Sequence, residues 1–336
     1  MIKVAINGFG RIGRLMFRLM ASDVEFEIVA INDLATAKEL AHLLKYDSNY
    51  RNYFVDEITN DDTNIYFKGK KIAVFNSKDP STLPWKALEV DEVMECSGAF
   101  TDKDKAYAHI IAGAKKVIIS APAKGDLKTI VYNVNEKTLI GDEEIISAAS
   151  CTTNCLAPVL NVLDNNFGVI KGFMTTIHAY TNDQAVQDVT HKKGIEERRG
   201  RSAAMNIIPT GTGAAKAIGK VLPKLEGRLE GTALRVPVPT GSVIDLVLEL
   251  EKKVTEEQVN ETFKKNTNET LKFTMDPIVS SDVISLTCGA MVDGLLTKII
   301  EIDDKQLLKV VAWYDNEWGY ASQMVRTAKY LMEDII

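Results

Sequence analysis

The feature that most constrains this chain lies near its N-terminus. A short apolar run, Lys3 to Asn7, leads directly into Gly8-Phe9-Gly10-Arg11-Ile12-Gly13. From Arg11 to Ala21 the apolar residues fall at Ile12, Leu15, Met16, Leu19 and Met20, the spacing of one helix face. A second β-type run, Glu27 to Ile31, ends at Asn32-Asp33. Strand, glycine turn, helix, strand and terminal carboxylate form the context in which G-x-G-x-x-G holds a dinucleotide. Gly8 permits the tight turn, Gly10 lets the backbone approach a pyrophosphate, and Gly13 lets the helix close on the strand. The pyrophosphate is expected on the free N–H groups of the helix N-terminus. Asp33 can accept hydrogen bonds from ribose hydroxyls and would repel a 2′-phosphate, which favours NAD over NADP. The bland alternative is a glycine-rich turn with Asp33 as a helix cap.

Further along, residues 36–45 have helical spacing, and 64–75 alternate around Gly69 and Lys70 as a hairpin. Runs at 91–96 and 116–120 read as strands flanking a helix over 101–114. Strands alternating with helices indicate a parallel sheet, and this texture continues to about Ser150. Beyond it, Cys151 to Asn165 reads as a long helix and 168–178 as a long strand. Residues 181–206 are polar. The segments 232–250 and 290–315 supply long strands with weak helical content between them, and 316–336 reads as a helix. The expected fold class is α/β: a parallel-sheet nucleotide domain over 1–150, rejoined by the helix 316–336, and a second α+β catalytic domain over 151–315 on a largely antiparallel sheet. A length of 336 residues accommodates two domains.

Charge and apolar runs exclude several function classes. A net charge of −6 gives no surplus of Lys and Arg for a general nucleic-acid binder. No apolar run approaches the roughly 20 residues that span a bilayer. Glycines and arginines break the N-terminal segment, so it lacks the apolar stretch of a signal peptide. The expectation is a cytoplasmic protein with no membrane or nucleic-acid partner. Four cysteines are too sparse for a disulfide framework.

Those thiols separate by position. Ser150-Cys151-Thr152-Thr153-Asn154-Cys155 sits where a strand turns into a helix. The helix N-terminus is expected to lower the Cys151 pKa and favour the nucleophilic thiolate. Of the four histidines, His178 ends a strand and leads into a loop, the usual place for a catalytic base. An unrelated pair of residues is the alternative for Cys151 and His178. His42 and His109 lie in helices of the first half and are expected to be partly buried and structural. His191, in a charged loop, is expected to be solvated. Cys96 and Cys288 read as small buried residues, and Cys155, one turn beyond Cys151, is assigned no role. A lone C-x3-C is not a zinc pattern, so no metal is expected.

Local anion sites are also readable. Thr210-Gly211-Thr212-Gly213-Ala214-Ala215-Lys216 is a Gly/Thr loop entering a helix. Arg235 follows a strand start, and Arg198, Arg199 and Arg201 crowd the polar loop. A helix cap and a solvated charge cluster are the respective alternatives.

Six ordered segments then resemble one family. They are INGFGRIGR, SCTTNC at 150–155, TTIHAYTNDQ at 175–184, TGAAKAIGK at 212–220, LRVPVPTGS at 234–242 and WYDNEWGY at 313–320. Over essentially the whole chain the sequence resembles the phosphorylating, NAD-dependent glyceraldehyde-3-phosphate dehydrogenases of bacterial type, Rossmann-fold enzymes of glycolysis. The resemblance implies oxidation of glyceraldehyde 3-phosphate, with inorganic phosphate, through a Cys151 thiohemiacetal and thioester, with His178 as base. It implies that Thr181 and Arg235 hold the substrate phosphate, and that Ser150, Thr152, Thr212, Gly213 and Arg199 hold the attacking phosphate. It places Arg11 and Ile12 at the pyrophosphate, beside the fingerprint glycines Gly8, Gly10 and Gly13 of the cofactor site, and Asp33 at the ribose. Ser120 and Asn316 fall on the nicotinamide side, and Lys78 near the adenine. It implies a homotetramer with 181–206 at a subunit interface. Arg199 rather than Arg198 follows from counting back from Pro209, and Lys78 departs from the Arg of many members. Erythrose-4-phosphate dehydrogenase, which hydrolyses its thioester, is the nearest rival, and an added binding or adhesion role is a second.

Overall fold

A computed structural model of the chain describes residues 1–191 and 194–333. Lys192 and Lys193 of the polar loop, and 334–336 of the expected terminal helix, lie outside the described residues. The chain divides into two compact units. One contains residues 1–132, 136–150 and those from Ala321 on; the other contains 133–135 and 151–320.

The first unit opens with β1 (Ile2–Asn7), the glycine turn and α1 (Arg11–Met20), then β2 (Phe26–Asn32) and α2 (Ala37–Lys45). Helix α1 turns Leu15, Met16, Phe17 and Met20 inward. Helix α2 starts at a capping box, in which the Thr36 hydroxyl accepts from Glu39 N and the Glu39 carboxylate accepts from Thr36 N. Next come β3 (Ile58–Asn60), β4 (Asn64–Phe67), β5 (Lys70–Phe75) and β6 (Glu92–Glu95). Then follow α3 (Lys103–Ala106), α4 (Ala108–Ile111), β7 (Lys116–Ile119) and β8 (Ile145–Ser147). The sheet order is β3-β4-β5-β2-β1-β6-β7-β8, parallel from β5 through β8, with β3 and β4 antiparallel at one edge. The order reverses direction at β1, the topological switch point where such sheets bind ligands at the carboxyl ends of their strands.

Two local expectations change. The helix expected over 101–114 is split at Tyr107 into the single-turn helices α3 and α4. The hairpin turns on Lys68-Gly69 rather than Gly69-Lys70. Phe67 pairs directly with Lys70, and both turn residues have positive φ (51° and 77°), as a two-residue hairpin turn requires.

The second unit begins with α5 (Cys151–Phe167) and β9 (Val169–Ala179). Then come β10 (Ile208–Gly211), α6 (Ala214–Val221), β11 (Leu229–Val236), β12 (Ser242–Leu250) and α7 (Glu256–Lys265). The strands β13 (Leu271–Thr274), β14 (Ala290–Asp293), β15 (Lys298–Ile302) and β16 (Lys305–Tyr314) precede α8 (Trp318–Glu333). The sheet runs β10-β11-β9-β12-β16-β14-β13, with β15 on β16. Only the β9–β11 and β13–β14 pairs are parallel, so the sheet is largely antiparallel. Between 250 and 290, where weak helical content was expected, α7 is a full ten-residue helix with a Thr255/Gln258 capping box.

One buried carboxyl is unusual. Glu92, at the start of β6, is fully buried and neither oxygen has a hydrogen-bond partner. Burial, aided by Asp91 and opposed by Lys116, pushes its pKa well above the ordinary carboxylate range. The folded state therefore keeps a proton that the unfolded chain releases, and stability falls as pH rises above the ordinary glutamate value. Glu92→Gln should raise Tm at mildly alkaline pH and leave it nearly unchanged near pH 4, as followed by circular dichroism. An equal shift at both pH values would contradict the buried neutral carboxyl.

Candidate active site

In the first unit the expected cofactor residues gather at the carboxyl ends of the parallel strands. Gly8 follows β1, Asp33 follows β2, Lys78 follows β5 and Ser120 follows β7. Gly8 has φ of 88°, and a Cβ there would lie 2.4 Å from Ser97 Cα. A Cβ on Gly13 would lie 2.1 Å from the Gly8 carbonyl oxygen, which is why α1 can close on the turn. A Cβ on Gly10 would meet nothing within 4 Å. The turn is thus packed shut at Gly8 and Gly13 and open at Gly10, where a pyrophosphate would approach. Asp33 accepts from Phe9 N at 2.7 Å and Ala35 N at 3.0 Å, so its carboxylate also clamps the turn to the end of β2. The Arg11 guanidinium pairs with Asp47 and lies over the Tyr50 ring, leaving helix N–H groups for a pyrophosphate. Lys78 is exposed. These residues fit a dinucleotide.

A layer beneath the cradle is not evident from the sequence. Asn32 Nδ2 donates to Asn7 Oδ1 at 2.7 Å and to Ser77 O at 2.9 Å. Asn7 Nδ2 donates to Glu95, which also accepts from Ser97 N and contacts His109 Nε2 at 3.0 Å. Trp85 Nε1 donates to His109 Nδ1, so the Nε2–H tautomer points at Glu95. His109 is fully buried and structural. His42, expected to be partly buried, is exposed instead, against Tyr46. Cys96, expected to be buried, is half-buried, because it follows β6 at the rim of the same cradle. Ala149, immediately before Ser150, takes the left-handed φ of 60°.

In the second unit Cys151 is the first residue of α5, and His178 is the penultimate residue of β9. Cys151 Sγ lies 3.4 Å from His178 Nε2. His178 Nδ1 lies 2.7 Å from the Ala179 carbonyl oxygen, so Nδ1 carries the proton and Nε2 faces the thiol as an acceptor. Parallel pairing puts Arg235 directly beside His178. Arg235 Nη1 donates to Ala179 O and to Thr181 Oγ1, each at 3.0 Å, and lies 2.9 Å from Nδ1. Its Nε–H is buried without a partner. Arg199 donates to Thr210 Oγ1 and pairs with Asp183, whose carboxylate also accepts from Thr181. Arg199, expected by default to be solvated, is therefore half-buried in this cluster, whereas Arg198 is exposed. Thr212 and Gly213 precede α6, with the Thr212 hydroxyl accepting from Ala214 N. His191, expected to be solvated, is half-buried, and its Cβ would be 3.3 Å from a Cβ on Gly200.

The electrostatics corrects one expectation. Burial pushes the Cys151 thiol up, opposed by the Arg235 charge and by hydrogen bonds from Thr152 and the helix N-terminus. Removal of the sulfur from water outweighs the helix field, so the resting thiol is not depressed. Burial and then Arg235 bring His178 down to about 3. Both shifts favour the neutral thiol and neutral imidazole over the ion pair, which leaves Nε2 as an acceptor facing the sulfur. Cys155 and Cys288 are buried in the core.

Two residues given no role by the sequence join the site. Tyr314, at the end of β16, is buried, and its hydroxyl bonds Thr152 Oγ1 at 3.0 Å and Thr176 Oγ1 at 2.9 Å. Its ring stands edge-on to His178 at 5.9 Å. Asp183 holds Arg199 and Thr181 together. Asn316 is buried, and its Oδ1 accepts from Gly241 N, Ser242 Oγ and Thr240 Oγ1.

A glycine cradle closed by a carboxylate, and a buried thiol–imidazole pair with arginines beside it, are together the features of a nucleotide-linked dehydrogenase. Comparison with known proteins narrows the class. Residues 2–103 match the family model described as glyceraldehyde 3-phosphate dehydrogenase, NAD binding domain, and 150–316 match the C-terminal domain of the same family. The chain is 56% identical over 330 residues to the glyceraldehyde-3-phosphate dehydrogenase of Clostridium pasteurianum, covering 98% of each chain. The corresponding figure for Streptococcus pyogenes is 48% over the same coverage. The chain belongs to the glyceraldehyde-3-phosphate dehydrogenase family.

The neutral pair gives a direct test without cofactor. His178→Asn should slow alkylation of Cys151 by iodoacetamide at about pH 7 by roughly tenfold or more. The gap should close as pH rises and the thiol ionises unaided. Equal rates at neutral pH would remove His178 as the proton acceptor.

Proposed function

We propose that this chain oxidises D-glyceraldehyde 3-phosphate with NAD and inorganic phosphate, giving 1,3-bisphosphoglycerate and NADH. The observation that carries the reading is the thiol 3.4 Å from an imidazole nitrogen whose partner nitrogen is held by a carbonyl. In this reading the unit containing Gly8 to Gly13 binds the cofactor, and the unit containing Cys151 carries the chemistry.

Cys151 Sγ attacks the aldehyde carbon while its proton passes to His178 Nε2. The Cys151 N–H and the His178 side chain face the developing oxyanion. NAD, when bound, supplies the hydride acceptor that converts the thiohemiacetal to a thioester. Before that step the imidazolium Nε2–H returns its proton to the oxyanion, which gives the thiohemiacetal its hydroxyl, and the neutral Nε2 takes this proton back as the hydride leaves. The thioester conserves the oxidation energy until inorganic phosphate attacks it and releases the acyl phosphate.

Arg235 and Thr181 hold the substrate phosphate in this scheme. The unpartnered Arg235 Nε–H supports it, because an unmet buried donor costs about 1–3 kcal/mol, which a bound anion recovers. Arg199, Ser150, Thr152, Thr212 and Gly213 hold the attacking phosphate. The Thr152 hydroxyl is engaged by Tyr314, so Thr152 contributes its helix N-terminal N–H. Gly8, Gly10, Arg11, Ile12 and Gly13 seat the pyrophosphate and Asp33 the ribose. Ser120 and Asn316 serve the nicotinamide, and Lys78 the adenine.

The working form is a cytoplasmic homotetramer. Support comes from an apolar outer sheet face bearing Phe173, Val247, Leu307, Ile300 and Ile302, all exposed, and from exposed Val186, Val189, Ile195 and Met205 in the polar loop. Light scattering coupled to size-exclusion chromatography should give four times the chain mass, and a monomer would contradict it. Among the described residues no helix is long and apolar enough to cross a membrane.

Cys151→Ser should lower turnover by about 10⁴-fold or more, because a serine hydroxyl at the same place stays protonated. NAD binding by calorimetry should survive. Retained turnover would overturn the nucleophile assignment. NADH formation should require added phosphate; phosphate-independent turnover that is faster on erythrose 4-phosphate would favour the hydrolytic relative.

A further inference from the structure

The buried hydroxyl of Ser242, at the start of β12, has no part in the scheme above. It is 1% exposed and makes two bonds of opposite sense. It accepts from Ala179 N at 3.0 Å and donates to Asn316 Oδ1 at 2.9 Å. Ala179 is the residue whose carbonyl fixes the His178 tautomer. Asn316 Oδ1 accepts in addition from Gly241 N at 3.1 Å and Thr240 Oγ1 at 3.4 Å. With the Gly241 N–H and the Ser242 hydroxyl proton converging on its oxygen, and the single Thr240 proton shared with Asp315, the amide is held against flipping, and its NH2 group is the face left for a ligand. Asp315 braces the same corner by accepting from Thr240 Oγ1 at 3.1 Å and Ser285 N at 2.8 Å.

The geometry points to Ser242 as a positioning residue that locks the His178 backbone and the Asn316 amide into one register. The hydroxyl proton orients the donor face of Asn316 toward a carboxamide oxygen. Its lone pair holds the Ala179 N–H, and so the strand end that carries the imidazole. Ser242 touches neither substrate nor thiol; it acts through its two partners. The Asn316 half rests on the assignment of that residue to the nicotinamide, whereas the His178 half does not.

Three measurements on the full-length protein test this. Ser242→Ala should slow iodoacetamide alkylation of Cys151 without cofactor, lower kcat by roughly ten- to a hundredfold, as expected for a displacement of about 1 Å, and weaken NAD binding by calorimetry. Ser242→Thr, which keeps the hydroxyl, should restore all three toward wild type. Ser242→Ala with wild-type alkylation and wild-type kcat overturns the proposal, as does failure of threonine to do better than alanine. Asn316→Ala separates the underlying assignment. If it leaves NAD affinity and kcat unchanged, Asn316 does not face the nicotinamide and the coupling is overturned, even if Ser242→Ala still slows alkylation.

Discussion

The hydrogen bond between His178 Nδ1 and the Ala179 carbonyl is the interaction on which the chemistry of the second unit depends. It fixes the tautomer, and the tautomer makes Nε2 an acceptor facing sulfur at 3.4 Å. The same carbonyl accepts from Arg235. A guanidinium is therefore held 2.9 Å from a protonated Nδ1, and charging the imidazole in the resting site would place two cations side by side. This repulsion, added to burial, keeps His178 neutral. Formation of an anionic centre on the sulfur side or arrival of a phosphate beside Arg235 removes the penalty. Under the proposed function, proton acceptance by His178 would thereby be tied to the presence of substrate.

The register of the sheet sets this arrangement. Parallel pairing of β9 with β11 puts Arg235 level with His178, and antiparallel pairing of β12 with β9 puts Val243 level with Ile177. Pairing of β12 with β16 puts Ser242 level with Tyr314. One row across four strands thus carries Arg235, His178, Ser242 and Tyr314. A slip of one residue would turn every one of these side chains to the opposite face.

What was legible in the sequence was what short-range geometry enforces. Gly8 and Gly13 stand where any Cβ would meet backbone within 2.4 Å, so the local pattern carries the fold of the turn. The strand that ends at His178 and the helix that begins at Cys151 show themselves by periodicity. The Thr255-to-Gln258 capping box was equally local and would have revealed α7. The rest depends on distant pairings. Thr152 and Tyr314 are 162 residues apart and Ser242 and Asn316 are 74 apart, and no local pattern assigns either pair. The resting state of Cys151 escapes the local pattern for a related reason. A helix N-terminus is visible in sequence, but the burial that opposes it is a property of the packed site.

The proposed function asks an acidic chain to bind two phosphates, which it can do because charge is read locally. At physiological ionic strength the Debye length is about 8 Å, so most of the net −6 is screened from the site. What an anion meets is Arg235 and Arg199, with Asp183 between them. Asp183 is burdened by partial burial and held ionised below the usual carboxylate range by Thr181 and Arg199. It occupies donors on Arg199 and Thr181 that an incoming phosphate would also use. An anion that displaces it gains those donors but loses the attraction between Asp183 and Arg199, so binding becomes an exchange of one anion for another. Such an exchange favours the dianionic phosphate over a monoanionic carboxylate, and gives selectivity for phosphorylated substrates without a large net positive field.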